Sequence, residues 1–453
     1  MDTAPPAPAR PTLAGEVPLF MRLEREVEEE FRPQMREALQ RKVDEVAKAQ
    51  QGRAVPCDRC GKPMDYKQAR GVGWRCRFGE VRAKPVEYRC RPCGRSRRPL
   101  LELLGVEAGR VCGSLARLLA LLGTVAPFEL AAQLAWTLLA VRVSPMTVWR
   151  CVQRLGEAAV RHDHALSVYH ADSRSVASPL AVPPAAVVLG VDGCMLGMQV
   201  RTRRRRFTSP EQRLVPLPRI EEGHFREVKT GVLFQAAQRC EPSPGRHSVV
   251  RRVLVTCLGD AEAIFSLLWA RLQELGWMGP QTVVVIVGDG AEWIWNHAAA
   301  TFPSRCEILD FWHAVEKAWA FARLHFGEGS TRADRWAQRL AQDLKQGKVD
   351  EVIRRLRKLH PKTLEARKKL TELIRYYESN RTRMHYDEYL RLGYGIGSGA
   401  VESAHKQVVH ARLRQAGMRW SEVGAQRLLA LRVVLLNREW DKLDRLPMVR
   451  IAA

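Results

Sequence analysis

Five short runs rich in β-branched and apolar residues, all between positions 186 and 310, constrain this chain more than any other feature. AVVLGVDGCMLGMQV begins at 186, EVKTGVLFQ covers 227–235, VVRRVLVTCL covers 249–258, QTVVVIVGDG covers 281–290 and RCEILD covers 305–310. Their composition suits strands buried within a sheet. Asp260 to Leu275 has apolar residues at helical spacing, AEWIWNHAAATF is a short helix, and the chain turns helical and basic after His313. The order β-β-β-α-β-α-β predicts an α/β sheet whose first three strands are joined by hairpins.

Acidic residues interrupt these runs where burial should exclude them. Asp192 lies inside VVLGVDGCML and Asp289 ends VVVIVGDGAEW. An unpaired carboxylate in a buried strand costs several kcal/mol, so each needs a partner or a cation. Glu402 sits in YGIGSGAVESAHKQV, where Gly and Ser lead the chain into a helix, and Asp310 opens Asp310-Phe311-Trp312-His313. A single Asp-Gly is ordinarily a turn or strand cap, and His313 can be a helix-start residue satisfied by Asp310. Together, carboxylates converging on one point repel unless divalent cations lie between them. Oxygen ligands of this kind suit Mg²⁺, and two such ions serve phosphoryl transfer.

Upstream, Cys57-Asp58-Arg59-Cys60 and Cys90-Arg91-Pro92-Cys93 are two CxxC turns, each followed by Gly. Cys57, Cys60, Cys90 and Cys93 make the tetrahedral sulfur set that zinc prefers, one structural ion in all. The segment has no large apolar run and needs the metal to fold. Cys76 has no partner in this pattern. Residues 17–50 are charged and helix-favouring, with Pro33 expected to divide them into two helices. Phe128 to Leu134 followed by Ser144-Pro145-Met146-Thr147-Val148-Trp149-Arg150 resembles a helix-turn-helix, with Ser144 as N-cap and Pro145 first in the helix. Thr147, Arg150, Gln153 and Arg154 would then face phosphates and base edges. An ordinary helical hairpin with a polar face fits the same residues.

The chain carries 73 Lys and Arg against 49 Asp and Glu in 453 residues, a formal charge of +24. A surplus of that size makes a polyanion, nucleic acid above all, the expected partner. No uninterrupted apolar stretch reaches the ~18 residues of a membrane span. Residues 1–16 lack the apolar core of a signal peptide, and the eleven cysteines include several single ones in apolar runs. A cytoplasmic, reducing location is the expectation.

VDGCML, FREVKTG, GDGAEWIW, ILDFWHA and GSGAVESAHK followed by RLRQAGMRWS resemble the bacterial insertion-sequence transposases of the ISKra type, a DDE family with an RNase H-like core. The likeness covers about residues 55 to 440. It implies that Asp192, Asp289 and Glu402 are the catalytic acids and ligate two Mg²⁺ (or Mn²⁺) ions, with Asp310 and His313 supporting them. It implies DNA contacts in the basic C-terminal motif at Arg412, Arg414 and Arg419, and a nucleoid-associated protein acting as a homo-oligomer on terminal inverted repeats and target DNA. The basic run containing Arg203, Arg204 and Arg205 either grips DNA or is a surface loop. Arg354, Arg355, Arg357, Lys358, Lys368 and Lys369 either track phosphates or form a solvated face.

The expected architecture is multidomain, α+β followed by α/β: a helical segment at 1–54, a zinc ribbon at 55–100, a helix-turn-helix-like region at 101–165 and a linker at 166–185. An RNase H-like core with a mixed five-stranded sheet occupies 186–327 and 393–453, interrupted by an all-helical insertion at 328–392. The expected activity is cleavage of element ends and their joining to target DNA. A nuclease without strand transfer, or a non-catalytic DNA-binding regulator, would share much of this pattern.

Overall fold

The computed structural model describes residues 17–106, 110–171, 182–199, 224–243 and 246–446. The basic run at 201–206, the lead at 1–16 and residues 172–181 of the linker expected at 166–185 lie outside them, while residues 166–171 are helical instead. The chain divides into two compact units, one of residues 1–122 with 128–148, the other of residues 123–127 with 149–453.

The first unit opens with α1 (Leu19–Ala49), a 31-residue helix that runs unbroken through Pro33. The expected break is absent because proline's φ suits a helix, and at this exposed position water can satisfy the carbonyl left without a donor. Near its C-terminal end, Leu39 and Val43 pack into an apolar cluster with Trp74, Val81 and Leu101. That cluster is supplied by the hairpin β1 aside: β1 (Asp65–Ala69) belongs to a second sheet, while β2 (Val72–Cys76) and β3 (Gly79–Ala83) form the hairpin itself. Gln40 fastens helix to hairpin, accepting from the Arg82 amide at 3.0 Å and donating to the Arg82 carbonyl at 2.8 Å. Cys76 is buried in the same cluster, so its lone thiol serves packing.

Strands β1, β4 (Val86–Arg89) and β5 (Ser96–Arg97) form the antiparallel sheet beside the paired cysteine turns. Glu87 is buried there and is held by Lys67 at 2.6 Å and Arg98 at 2.8 Å. The Lys67 bond, then those from Arg98 and Gln68, hold its carboxyl down at about 2. Helices α2 (Pro99–Leu104), α3 (Gly113–Val125) and α4 (Phe128–Leu139) follow, the break between the last two falling at Ala126-Pro127. Helix α5 (Pro145–Ala171) starts as its sequence indicates, with Pro145 first and the Ser144 hydroxyl accepting from the Thr147 amide at 3.2 Å.

The second unit is built on a mixed five-stranded sheet. Its strands are β6 (Ala186–Gly197), β7 (Phe225–Gln235), β10 (Val253–Cys257), β11 (Val283–Gly288) and β12 (Arg305–Leu309), in the order β10-β7-β6-β11-β12. The first three pair antiparallel, and β11 and β12 run parallel to β6. One feature differs from the sequence reading. The run beginning at 249 is two strands, since β8 (Arg239–Ser243) and β9 (Arg246–Val249) make a separate hairpin before β10. The exposed Val250-Arg251 pair breaks the run, which apolar patterning alone joins together.

Helix α6 (Ala261–Glu274) covers the sheet by seating Leu268 over Gly231, where an added Cβ would lie 2.6 Å from the leucine. Helix α7 (Glu292–Thr301) packs Ile294 and Trp295 against Gly288. Helix α8 (Phe311–Phe326) follows β12. The stretch from Thr331 to Arg391 is helical, comprising α9 (Thr331–Lys345), α10 (Val349–Arg357), α11 (Leu364–Ser379) and α12 (Tyr386–Arg391). The Tyr377 hydroxyl ties α11 to α8 by donating to the Ala314 carbonyl at 2.8 Å. The chain then returns to the sheet as α13 (Gly399–His405), whose Val401 lies over Gly190. A π-helical turn at Lys406–His410 leads into α14 (Ala411–Leu413), and α15 (Glu422–Leu436) follows.

Within this unit α5 and α15 touch closely. A Cβ at Gly156 would stand 2.6 Å from both the Arg427 Cβ and its carbonyl oxygen. We expect Gly156→Ala to destabilise the unit by ~1–2 kcal/mol, the overpacking cost outweighing alanine's better helix propensity. Thermal unfolding checks this; a variant as stable as the parent would show that the helices can separate freely.

Candidate active site and metal centre

Strand register brings the first two acids together. Gly190 of β6 pairs with Val287 of β11. Two residues further along stand Asp192, within β6, and Asp289, just past the end of β11, so the register sets them at the same level. Gly288 pairs in turn with Leu309 of β12, so the next residues, Asp289 and Asp310, are level too. Asp289 and Asp310 thus directly follow the C-terminal ends of β11 and β12, while Asp192 lies within β6, which continues to Gly197.

Their environments differ. Asp192 accepts from the Gly193 amide at 2.7 Å. Burial, before all else, raises its pKa; the amide opposes this, and the charges of Asp289 and Glu227 reinforce it. Asp289 accepts from the Ala291 amide at 3.0 Å, and its carbonyl takes a 2.6 Å hydrogen bond from the Tyr376 hydroxyl of α11. Gly290 beside it has φ +99°, and a Cβ there would meet the Tyr376 ring at 2.9 Å. Only glycine suits that turn.

Asp310 is fully buried and its oxygens are taken up internally. One caps α8 by accepting from the Trp312 amide at 2.8 Å; the other accepts from His313 Nδ1 at 3.2 Å and from the Ser398 hydroxyl. Burial alone would raise Asp310, but the bonds from His313, Ser398 and Trp312 hold it below the usual carboxylate range. The same bond raises His313. Ser398 also contacts Glu402 Oε1 at 3.3 Å. A chain of contacts thus runs from Asp310 through Ser398 to Glu402 and fixes the glutamate's turn of α13.

Residues that the sequence reading passed over complete this surrounding. His405, one turn beyond Glu402, is buried with Nε2 3.5 Å from Asp192 Oδ2. Burial, then His410, pulls its pKa to about 4, so a neutral imidazole walls Asp192. Lys229 of β7, level with Gly193, pairs with Glu227 and places its ammonium 4.6 Å from the centre of the Trp293 ring. Both lie in motifs already noted, FREVKTG and ESAHK, yet periodicity gives no reason to choose them over their neighbours.

The four cysteines converge. Cys57 and Cys93 Sγ are 3.4 Å apart, Cys60 and Cys90 Sγ 3.5 Å, and all four sulfurs lie within 4.8 Å of one another. Sulfurs ~2.3 Å from a tetrahedral zinc stand roughly 3.8 Å apart, so the set could hold one such ion. The two turns match: Gly61 and Gly94 both have φ +68° and donate to the carbonyls of Cys57 and Cys90 at 2.9 and 2.8 Å. The amides of Arg59 and Cys60 lower the Cys57 thiol. Cys90 accepts from the Cys93 amide, yet burial and the neighbouring thiols push it up. Among the described residues no other group of three or more Cys, His, Asp or Glu is drawn together so tightly. Asp192, Asp289 and Glu402 are not drawn together to that degree.

The expected DNA-contacting residues divide. Arg150, Arg414 and Arg419 are exposed, and Thr147 is half-buried with its hydroxyl 3.0 Å from Ser144. Gln153 and Arg154 are buried, so the outward face expected of α5 ends near Arg150. Gln153 instead accepts from Arg427 at 3.2 Å, a consequence of the close approach at Gly156. Arg412 is also buried: it donates to the Gly123 carbonyl at 3.1 Å and lies over the Trp420 ring. Burial, then Arg432, lowers its pKa to about 10. Arg154 and Arg412 are therefore interior residues in this structure. In the helical stretch Arg355, Arg357 and Lys369 are ion-paired with Asp343, Glu378 and Glu372, while Arg354, Lys358 and Lys368 are exposed. Arg203, Arg204 and Arg205 lie outside the described residues.

No helix among the described residues is long and apolar enough to cross a membrane. No protein-family model matches the chain, and a comparison with curated proteins finds no match. Among solved structures the chain is similar to the Drosophila P element transposase strand transfer complex, over 76% of this chain and 83% of that one, with 10% identity and a TM-score of 0.26. At that score the two superpose only loosely.

Proposed function

We propose that this chain is a DDE-type DNA transposase that cleaves the ends of an insertion sequence and joins them to target DNA. The observation that carries the reading is the levelling of Asp192 with Asp289 on adjacent parallel strands, with Glu402 presented from α13 and tied through Ser398 to Asp310. The strand order, third-second-first-fourth-fifth with the last two parallel to the first, supports an RNase H-like core. The charge of +24 supports a DNA substrate.

Asp192, Asp289 and Glu402 offer hard oxygen donors, and together they would hold two Mg²⁺ or Mn²⁺ ions. Such ions supply Lewis-acid activation of the attacking oxygen and stabilise the leaving one. The protein's own part is placement. Asp310 and Ser398 orient Glu402, Tyr376 fixes the turn that carries Asp289, and His405 stands beside Asp192 without adding a charge. The ribbon cysteines would hold one structural zinc. Thr147, Arg150, Arg414 and Arg419 are the proposed DNA contacts, and pairing two element ends calls for a homo-oligomer on DNA.

Incubation with labelled DNA carrying the element ends tests the reading. Strand cleavage followed by joined products is expected. Cleavage with no joined product would make the protein a nuclease, and binding without either would make it a regulator.

A further inference from the structure

We propose that a second cleft, on the other side of α13 from the acids, binds the phosphodiester backbone of a nucleic-acid strand. The cleft measures about 1390 Å³ and lies between the segment 248–253, the outer side of α13 and the C-terminal end of α15. It exceeds the ~300–1,000 Å³ of a small-molecule pocket. Arg251, Arg252 and Arg438 line it, together with Ser403 and Gln407.

The charge is one-sided. Among the described residues Glu439 is the sole acid in the lining, and it is already paired with Arg271 and, at 3.2 Å, with Lys442. Arg252 is held in place by Ser403 Oγ at 3.2 Å and by Gln407. Arg251 and Arg438 are exposed, and neither is ion-paired among the described residues. Arg438 has φ 61° at the position past the end of α15 where glycine is usual. An L-residue there is strained, and the side chain so placed is a cation facing the cleft. Among the described residues no aromatic ring lines the walls to stack on bases, and arginine–phosphate contact is the chemistry they offer.

Helix α13 links the cleft to the acids. Gly399 and Ser403 line the cleft four residues apart, while Ser398 and Glu402, also four apart, contact each other and Ser398 reaches Asp310. A strand held by the arginines would run along the wall that carries Glu402. This inference rests on the reading of the acids as a DNA-processing site, and its test separates the two.

The full-length protein carrying the photo-crosslinker p-benzoylphenylalanine in place of Ala400, itself in the cleft wall, is irradiated with a labelled single-stranded oligonucleotide and, separately, with the matching duplex. An adduct with the strand is expected. Its yield should fall about an order of magnitude in Arg251→Glu/Arg438→Glu and decline steeply with salt. Arg438→Gly guards against misfolding: it should be at least as stable as the parent, since glycine suits the positive φ, and still crosslink less. DNA that shifts in a gel without an Ala400 adduct, an adduct indifferent to the arginine changes, or an adduct with a second protein chain would overturn the cleft assignment and leave the proposed function standing. No DNA binding at all would overturn both.

Discussion

Replacing Asp192 or Asp289 by asparagine is expected to lower strand cleavage and strand joining together by ~10³-fold or more, because each change removes a negative ligand from a site whose catalysis is charge stabilisation and positioning. Both steps should fall in parallel, since one set of acids serves them. Stability should move the other way at Asp192. Its pKa is raised in the folded protein, by burial first, so its charge opposes folding at neutral pH. Asp192→Asn should therefore melt no lower than the parent. Ser398→Ala leaves the acids in place but frees Glu402, and a smaller loss of about 10–100-fold is expected, as for other groups that orient a ligand. Single-turnover cleavage, read beside thermal melts, checks all three. Full activity in Asp192→Asn and Asp289→Asn would remove these residues from the chemistry.

The second large effect concerns the cysteine turns. Around Cys57 and Cys90 the apolar cluster contains little more than Met64, Val55 and Tyr88. A core of that size does not fold a ribbon unaided. Structural zinc contributes on the order of 10 kcal/mol in small domains of this kind. Cys90→Ser, or a strong chelator, should abolish amide-exchange protection in β1, β4 and β5. Protection in β6, β7 and β11, which stands on its own extensive core, should persist. Zinc release measured with a chromogenic chelator should give one ion per chain in the parent and none in the variant. Unchanged protection of the three ribbon strands after complete metal removal would contradict a structural role.

The candidate acids and the paired cysteines stand out in the sequence because their signals are local. An aspartate inside a β-branched run stands out at Asp192 and Asp289, and strand order then sets them level. The paired CxxC turns announce their geometry through spacing alone. What escaped depends on packing between distant segments. Gln153 looks like part of an outward polar face until α15 covers it, with Arg427 against Gly156, and its neighbour Arg154 is buried as well. Arg412 looks like a DNA contact until Gly123 and Trp420 enclose it. Pro33 looks like a break, and exposure makes it tolerable. His405 and Lys229 matter only because β6, β7 and α13 meet at Asp192, which no periodicity records.

The central claim is that the carboxylates of residues 192, 289 and 402 jointly hold hard cations. Crystals of the full-length protein soaked in Mn²⁺ test it most directly through anomalous scattering. The expected result is a pair of peaks roughly 3.5–4 Å apart, bounded by oxygens from all three side chains. Manganese peaks only elsewhere, with these carboxylates unligated at saturating metal, would contradict the account.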